Sequence, residues 1–233
     1  MNLLALDTSS NACSVALQID QKIRVAHVVK PREHTALLLP MIDNCMSEAR
    51  ISFANLDGII LGNGPGSFIG MRIAASVAQG IAFAAGLDIV PISSLVAIAA
   101  ETFSSHEGAR VLVAQDAHMN EVYLAQFGRD EDGMPVADGE VCLHKVTEAL
   151  PGFDDSGKGI RLAAGAGWQR YPEMMKSDTE LRAGQVNIIY PNARYLLGLG
   201  LRGWAAGDAI SPDDVVPEYV RMTVAAIPES PHK

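Results

Sequence analysis

The chain carries an internal repeat that dictates much of its fold. Residues 4–17 read L-A-L-D-T-S-S-N-A-C-S-V-A-L, and residues 113–126 read V-A-Q-D-A-H-M-N-E-V-Y-L-A-Q. A shift of 109 positions sets Ala5 on Ala114, Asp7 on Asp116, Asn11 on Asn120 and Ala16 on Ala125. In each copy an apolar run ends at an aspartate, a short polar turn follows, and a second apolar run returns. That is the pattern of a strand, a tight turn and an antiparallel strand. A hairpin repeated half a chain apart predicts two related lobes, and two lobes enclose a cleft. The expected division is 1–107 for the first lobe and 108–233 for the second, with the last segment docking back on the first.

Periodicity fills in the first lobe as α/β. Strands are expected over 1–6, 13–19, 23–29, 56–61 and 87–91. Between them, residues 33–50 change to a helical period, with Leu37, Met41, Cys45 and Ala49 on one row and His34, Leu38, Ile42 and Met46 on the next. Pro40 falls about two turns into that helix, where it bends the helix or delays its start. A second helix, 69–85, stops at Gly86, and a third covers 93–103. In the second lobe, 128–139 reads as a loop, 161–164 as a strand and 192–206 as a helix stopped by Gly207. The stretch 212–220 reads as a docking segment of unassigned structure, and 227–233 as a disordered tail.

Composition excludes several function classes. With Lys+Arg 18 against Asp+Glu 27, the net charge is −9, and no basic cluster offers a nucleic-acid footprint. Contact with RNA therefore calls for a partner. Cys13, Cys45 and Cys142 are scattered, without a C-x-x-C pair, as expected in a reducing cytosol and against a structural zinc site. The six histidines form neither H-x-x-x-H nor H-E-x-x-H, so no metal site is expected. There is no G-x-S-x-G elbow. No bilayer-spanning run and no secretory leader are expected, which places the chain in the cytoplasm.

Three features carry candidate chemistry. Asp7-Thr-Ser-Ser10 closes the first strand; its aspartate is either a turn residue or a holder of magnesium through water. Gly62–Gly70 is a glycine-rich strand-to-helix loop, either an anion cradle built around Gly64 and Gly66 or a tight turn that seats a helix on a sheet. It lacks the Gly-Lys-Ser/Thr ending of a P-loop. The helix at 69–85 is apolar around most of its circumference, with only Arg72, Ser76 and Gln79 as a polar stripe. Such a helix is sandwiched inside its lobe or pressed against another protein. The interface candidates on the two helices are Leu37, Leu38, Met41, Ile42, Cys45, Met46, Arg72, Ala75, Ala78 and Ala82. The small residues among them are the ones that permit close helix–helix approach.

Five ordered motifs resemble the TsaB (YeaZ) family across nearly the whole length. They are Leu3-Leu-Ala-Leu-Asp-Thr-Ser-Ser10, Gly64-Pro-Gly-Ser-Phe-Ile-Gly-Met-Arg-Ile73, Pro91-Ile-Ser-Ser-Leu95, Asp116-Ala-His-Met-Asn-Glu-Val-Tyr123 and Pro217-Glu-Tyr-Val-Arg221. The chain departs from the family at Ile69, where Thr is usual, and at His118-Met-Asn120, where Arg-Met-Gly is usual. The resemblance implies the actin, sugar-kinase and Hsp70 (ASKHA) fold, with ribonuclease H-like lobes. It also implies a role in making threonylcarbamoyladenosine beside the anticodon of tRNAs that read ANN codons.

In that system the catalytic subunit is a paralogue, TsaD, which carries a metal-binding His-x-x-x-His. The corresponding stretch here, Ile92-Ser-Ser-Leu-Val-Ala-Ile-Ala-Ala100, has no histidine. The resemblance therefore implies a scaffold or activator with no catalytic residue and no cofactor of its own. ATP and metal are expected on its partners, TsaD and a TsaE-like P-loop ATPase. Contact with tRNA comes only through the complex, and a homodimer is expected when the chain is alone. The alternative is a stand-alone ATPase or phosphotransferase of the same superfamily, using Asp7, the cleft and Gly165-Ala-Gly167 against an adenosine. A metallopeptidase reading fails for want of ligands.

Overall fold

Each repeated hairpin opens its own mixed β-sheet. The computed structural model describes residues 1–150, 161–176 and 178–221. The first sheet holds β1 (Leu3–Asp7), β2 (Ala12–Ile19), β3 (Lys22–Val29), β4 (Gly58–Gly62) and β5 (Ile89–Ile92), in the order β3-β2-β1-β4-β5. The second holds β6 (Arg110–His118), β7 (Glu121–Arg129), β8 (Pro135–Ala137), β9 (Cys142–Lys145) and β10 (Arg161–Ala164). Its order is β10-β6-β7-β8, with β9 also on β7. In both, the opening strand pairs antiparallel with the next and parallel with a later one, β4 or β10. The duplication seen in sequence is thus a duplication of sheet topology.

The match is one residue out of step in the second strand. Ala5 faces Ala16 and Asp7 faces Ser14, whereas Ala114 faces Leu124 and Asp116 faces Val122. The second turn is tighter. His118, Met119 and Asn120 all take left-handed backbone angles, and the ladder shifts register between Asp116 and His118. Ala16 and Ala125 are therefore alike in sequence without being equivalent in register.

Alternation along the strands sorts the core into layers. Leu4 and Leu6 of β1 face α1 (His34–Ala49) and α2 (Phe68–Ala85), while Leu3 and Ala5 face the opposite side. That side is covered by α6 (Ala193–Ala206), which leaves the second lobe to pack on the first sheet. Gly200 lets α6 lie flat there: a Cβ on it would come within 2.3 Å of Ile60 Cδ1. Helix α3 (Ser94–Ser105) lies between the lobes, with Ala97 in the first-sheet layer and Leu95, Ile98, Ala99 and Phe103 in the second-sheet core. Short helices α4 (Ala166–Arg170) and α5 (Thr179–Ala183) belong to the second lobe, where buried Trp168 and Leu181 share a cluster with Leu112 and Leu124.

Several expectations are adjusted. Helix α1 continues through Pro40, which is exposed, so the proline neither ends the helix nor delays its start. The stretch 128–139 is not all loop, since β8 lies within it. The docking segment near 212–220 begins with a single 3-10 turn at Pro212–Asp214. The expected tail at 227–233 lies outside the described residues. Helix α2, at 18 residues and mean hydropathy 1.5, is long and apolar enough to cross a membrane by length and composition, contrary to expectation. In this fold Met71, Ala74, Ala75, Ala78 and Ala82 of α2 are buried.

The cysteines differ in exposure. Burial pushes the Cys13 thiol up to about 11 and raises Cys45 as well, while Cys142 is the exposed one. We expect one thiol per chain to react with an aromatic disulfide reagent in the native state and all three in denaturant. More than one fast native thiol would contradict the packing of β2 and α1.

Candidate functional site

Asp7 ends β1 and is 1% exposed. Its Oδ1 accepts hydrogen bonds from the Ser9 backbone N–H (2.9 Å) and Ser9 Oγ (2.8 Å), and its Oδ2 accepts one from Ser94 Oγ (2.7 Å). Ser94, the first residue of α3, also accepts from the Gly64 N–H (3.1 Å) and donates its own N–H to the Gly64 carbonyl (2.6 Å). One carboxylate thus ties the β1 turn to α3, and through Ser94 to the glycine loop. Burial raises its pKa above the ordinary 3.8, while the three hydrogen bonds favour the charged form and oppose that rise.

Asp7→Ala leaves Ser9 and Ser94 donors without an acceptor, and we expect a loss of about 2–4 kcal/mol in chemical unfolding. The pH dependence has a definite sign. Because the folded carboxyl holds its proton more tightly than the unfolded one, ionising it costs stability as pH rises from 3.8 through the folded value. The deficit of the alanine variant should therefore be larger near pH 4 than near pH 7. A deficit that grows with pH would show that Asp7 prefers to be charged.

The glycine loop is bound to the same turn. The Ser67 N–H donates to the Ser9 carbonyl at 2.6 Å, Thr8 Oγ1 donates to the Gly70 carbonyl at 2.6 Å, and the Gly70 N–H donates to Ser67 Oγ at 3.1 Å. Gly66 approaches so closely that a Cβ would sit 2.1 Å from the Ser9 carbonyl oxygen. The N–H groups of Gly64, Ser67 and Gly70 are therefore engaged within the protein instead of pointing at an anion. Ile69, at the position of the family's usual threonine, is turned outward and is 70% exposed.

Between the lobes lies a cleft of about 1040 Å³. The first lobe lines it with Ser9, Ser10, Asn11, Arg32, His34 and Gly66, and the second with Asp116, His118, Gln169, Arg170 and Tyr190. Neither Asp7 nor Gly64 is part of that lining; of the three candidate ligand-binding residues only Gly66 borders it. The repeat has diverged here. Asp7 is sealed, whereas Asp116 reaches the cleft, accepting from the His118 N–H (2.9 Å) and from Tyr171 Oη (3.2 Å). His34 Nε2 lies 2.8 Å from the Ser10 carbonyl, which assigns the proton to Nε2 because a carbonyl only accepts. Gly165 and Gly167 back onto the Ala114 carbonyl, and of that triplet Ala166 lines the cleft. Among the described residues no group of three His, Cys, Asp or Glu side chains is gathered to hold a metal ion.

The second candidate surface is α2, and here the sequence-based reading needs correction. Leu38, Met41, Ile42, Cys45, Met46, Ala75, Ala78 and Ala82 are buried within the chain's own first-lobe core. Leu37 is half-buried, and only Arg72 of the ten interface candidates is exposed. The small residues of α2 face inward because they let the helix lie close to the sheet. Met71 is buried with them, and Ile73, Val77 and Ile81 are half-buried against the same core, while Ile69 and Phe83 are left outside; Ile69 and Ile73 also border the cleft. Ile69, Ile73, Ser76, Gly80 and Phe83 recur at steps of four and three along the outer face, with Phe83 76% exposed. Exposed Leu39 belongs to α1. At the N-terminal end of α2 the Arg72 guanidinium sits 3.3 Å over the Phe68 ring and 5.3 Å from the Tyr219 ring. The signal for this stripe was present in the spacing; which of two apolar faces turns inward was not.

Comparison with known proteins follows the same outline. The family model described as "TsaD: tRNA N6-adenosine threonylcarbamoyltransferase" matches residues 26–191. The "tRNA threonylcarbamoyladenosine biosynthesis protein TsaB" of Escherichia coli K12 is 34% identical, over 97% of this chain and 96% of its own length. The chain belongs to the TsaB family. The TsaB protein of Haemophilus influenzae is also 34% identical, over 96% of this chain and 95% of its own. The solved structure of YeaZ from Pseudomonas aeruginosa superposes with a TM-score of 0.83 at 33% identity, covering 94% of this chain and 99% of that one. Another structure from that organism, described as an uncharacterized protein with similarity to peptidase YEAZ, gives 0.84. With these neighbours, the two mixed sheets are those of the ASKHA-type fold that the motifs implied.

Proposed function

We propose that this chain takes part in synthesis of threonylcarbamoyladenosine in tRNA as a non-catalytic activating subunit, and that it acts by docking onto a catalytic paralogue of the TsaD type. The first half of that reading is supported by the names its relatives carry. The second is supported by one observation: the outer face of α2 leaves Ile69 and Phe83 largely exposed, with half-buried Ile73 between them. Burying side chains of this size stabilises a complex by roughly 1.5–3 kcal/mol each, before the cost of association. Helix packing through α2 and the exposed part of α1 would build a bundle of four helices with the same two helices of a paralogue. The stripe could equally pair with itself, so a homodimer is expected in the absence of the partner.

The non-catalytic part of the reading rests on what occupies residues 92–100. Ser94 is hydrogen-bonded to Asp7, and Leu95, Ala97, Ile98 and Ala99 are core. None offers an imidazole where the catalytic paralogue has its metal-binding histidines. ATP and metal then belong to the partners, the paralogue and a TsaE-like P-loop ATPase. With a net charge of −9, tRNA is engaged through the complex, in the cytoplasm.

Two experiments test this. Phe83→Glu and Ile69→Glu should each weaken association about a hundredfold or more in size-exclusion chromatography with light scattering, and should lower tRNA modification in parallel, with unchanged circular dichroism. Met41→Glu and Ala78→Glu should unfold the chain instead. Wild-type assembly by both outer-face variants would place the interface elsewhere. In the second experiment, the purified chain given tRNA and the activated donor should form no modified nucleoside, and its tRNA affinity at physiological salt should be micromolar or weaker. Product formed by this chain alone would overturn the non-catalytic reading.

A further inference from the structure

Residues 210–221 run as a strap from one lobe to the other, with one 3-10 turn at Pro212–Asp214. Ile210 exchanges two backbone hydrogen bonds of 2.9 Å with Ile89 of β5. Gln79 of α2 donates to the Pro212 carbonyl at 2.8 Å, and Val215 is buried in the first-lobe core. Asn63 then takes the backbone on both sides: its Nδ2 donates to the Val216 carbonyl (2.9 Å), and its carbonyl accepts from the Glu218 N–H (3.1 Å). The Tyr219 ring lies tilted against that of Phe68, 5.7 Å between centroids. One residue later the chain has changed lobes, because Val220 packs against the second-lobe core. Arg221 closes the path. Its guanidinium pairs with Glu121 at 2.5 Å and donates to the Ala117 carbonyl at 2.9 Å, both on the second repeated hairpin.

We propose that this strap sets the angle between the lobes and that Arg221 is its latch. Three physical points carry this. Val215 is buried in the first-lobe core and Val220 packs against the second-lobe core, and five residue steps reach at most about 17–18 Å, which bounds how far those two points can separate. The latch is well shielded, with the Arg221 and Glu121 side chains only 12% and 18% exposed, so salt screens it weakly. The two ends hold opposite walls of one cleft: Asn63 leads into the loop that contributes Gly66 and Ser67 to it, and the Arg221 hairpin contributes Asp116 and His118. Releasing Arg221 removes the strap's polar hold on the second lobe, leaving only the Val220 contact there, while every first-lobe anchor stays in place. This inference does not depend on the docking reading, although Tyr219 brings the strap against the N-terminal end of α2.

The test measures lobe separation in the full chain. In a Cys142→Ser background, where Cys13 and Cys45 are buried, nitroxide labels go on Thr35→Cys and Gln169→Cys, two exposed positions on opposite walls of the cleft. Pulsed electron resonance should give one narrow distance distribution for this parent. Arg221→Ala and Glu121→Gln should each add a longer, broader population, and the double variant should add no more than either single one. Circular dichroism checks that each variant is folded. Should Arg221→Ala fail to fold, Glu121→Gln decides, since it breaks the ion pair without touching the strap. Folded variants that keep the parent distribution would overturn the proposal, as would a double variant whose effect is the sum of the two singles.

Discussion

The buried carboxylate of Asp7 is the joint on which the first lobe depends. Three pieces that are distant in sequence meet there: the turn after β1, the loop after β4 and the first residue of α3. A carboxylate placed in that position without donors would be costly. With Ser9 and Ser94 donating to it, it becomes a fixed acceptor around which the loop, and hence the start of α2, is set. In the adjoining loop the N–H groups of Gly64, Ser67 and Gly70 are likewise engaged within the protein. A feature that reads as an anion cradle is also part of the scaffold that aims a helix. The second lobe keeps the corresponding aspartate, Asp116, at the cleft, so the two copies of the hairpin place their aspartates differently.

From that joint the chain builds a helix whose small side are its inner residues. Close seating of α2 on the sheet requires Ala74, Ala75, Ala78 and Ala82 beneath it. Ile69 and Phe83 are thereby displaced to the outer face, where they are largely exposed among the described residues, with half-buried Ile73 between them. The inter-lobe strap then passes the N-terminal end of the same helix before reaching the second lobe. Helix face, loop, strap and cleft are consequently mechanical neighbours, and a partner seated on α2 would press on elements that border the cleft.

Much of the fold was legible in the sequence because it is written in periodicity. The strand 161–164 and the helix ends at Gly86 and Gly207 followed from alternation and left-handed stops. Duplicated topology followed from the repeat, although the one-residue slip at Ala125 did not, since a left-handed turn at His118–Asn120 leaves no mark in hydrophobic pattern. The site was less legible. An all-round apolar helix such as α2 gives no sign of which side meets a sheet, so its pattern does not show that Ala78 is core; nor does that of α1 for Met41. The strap is legible in sequence only as a docking segment at 212–220: its anchors at Asn63, Phe68 and Glu121 lie roughly 100 residues or more from it, and irregular backbone held by single hydrogen bonds has no period to read.

The central claim is that the outer face of α2 meets a catalytic paralogue. A photo-crosslinking residue, p-benzoylphenylalanine, placed at position 83 tests it directly, with the same group at exposed Val136 of β8 as the control. Irradiation of the chain mixed with a TsaD-type protein should yield a covalent heterodimer from position 83 and none from position 136. Capture from position 136 with none from position 83 would contradict it.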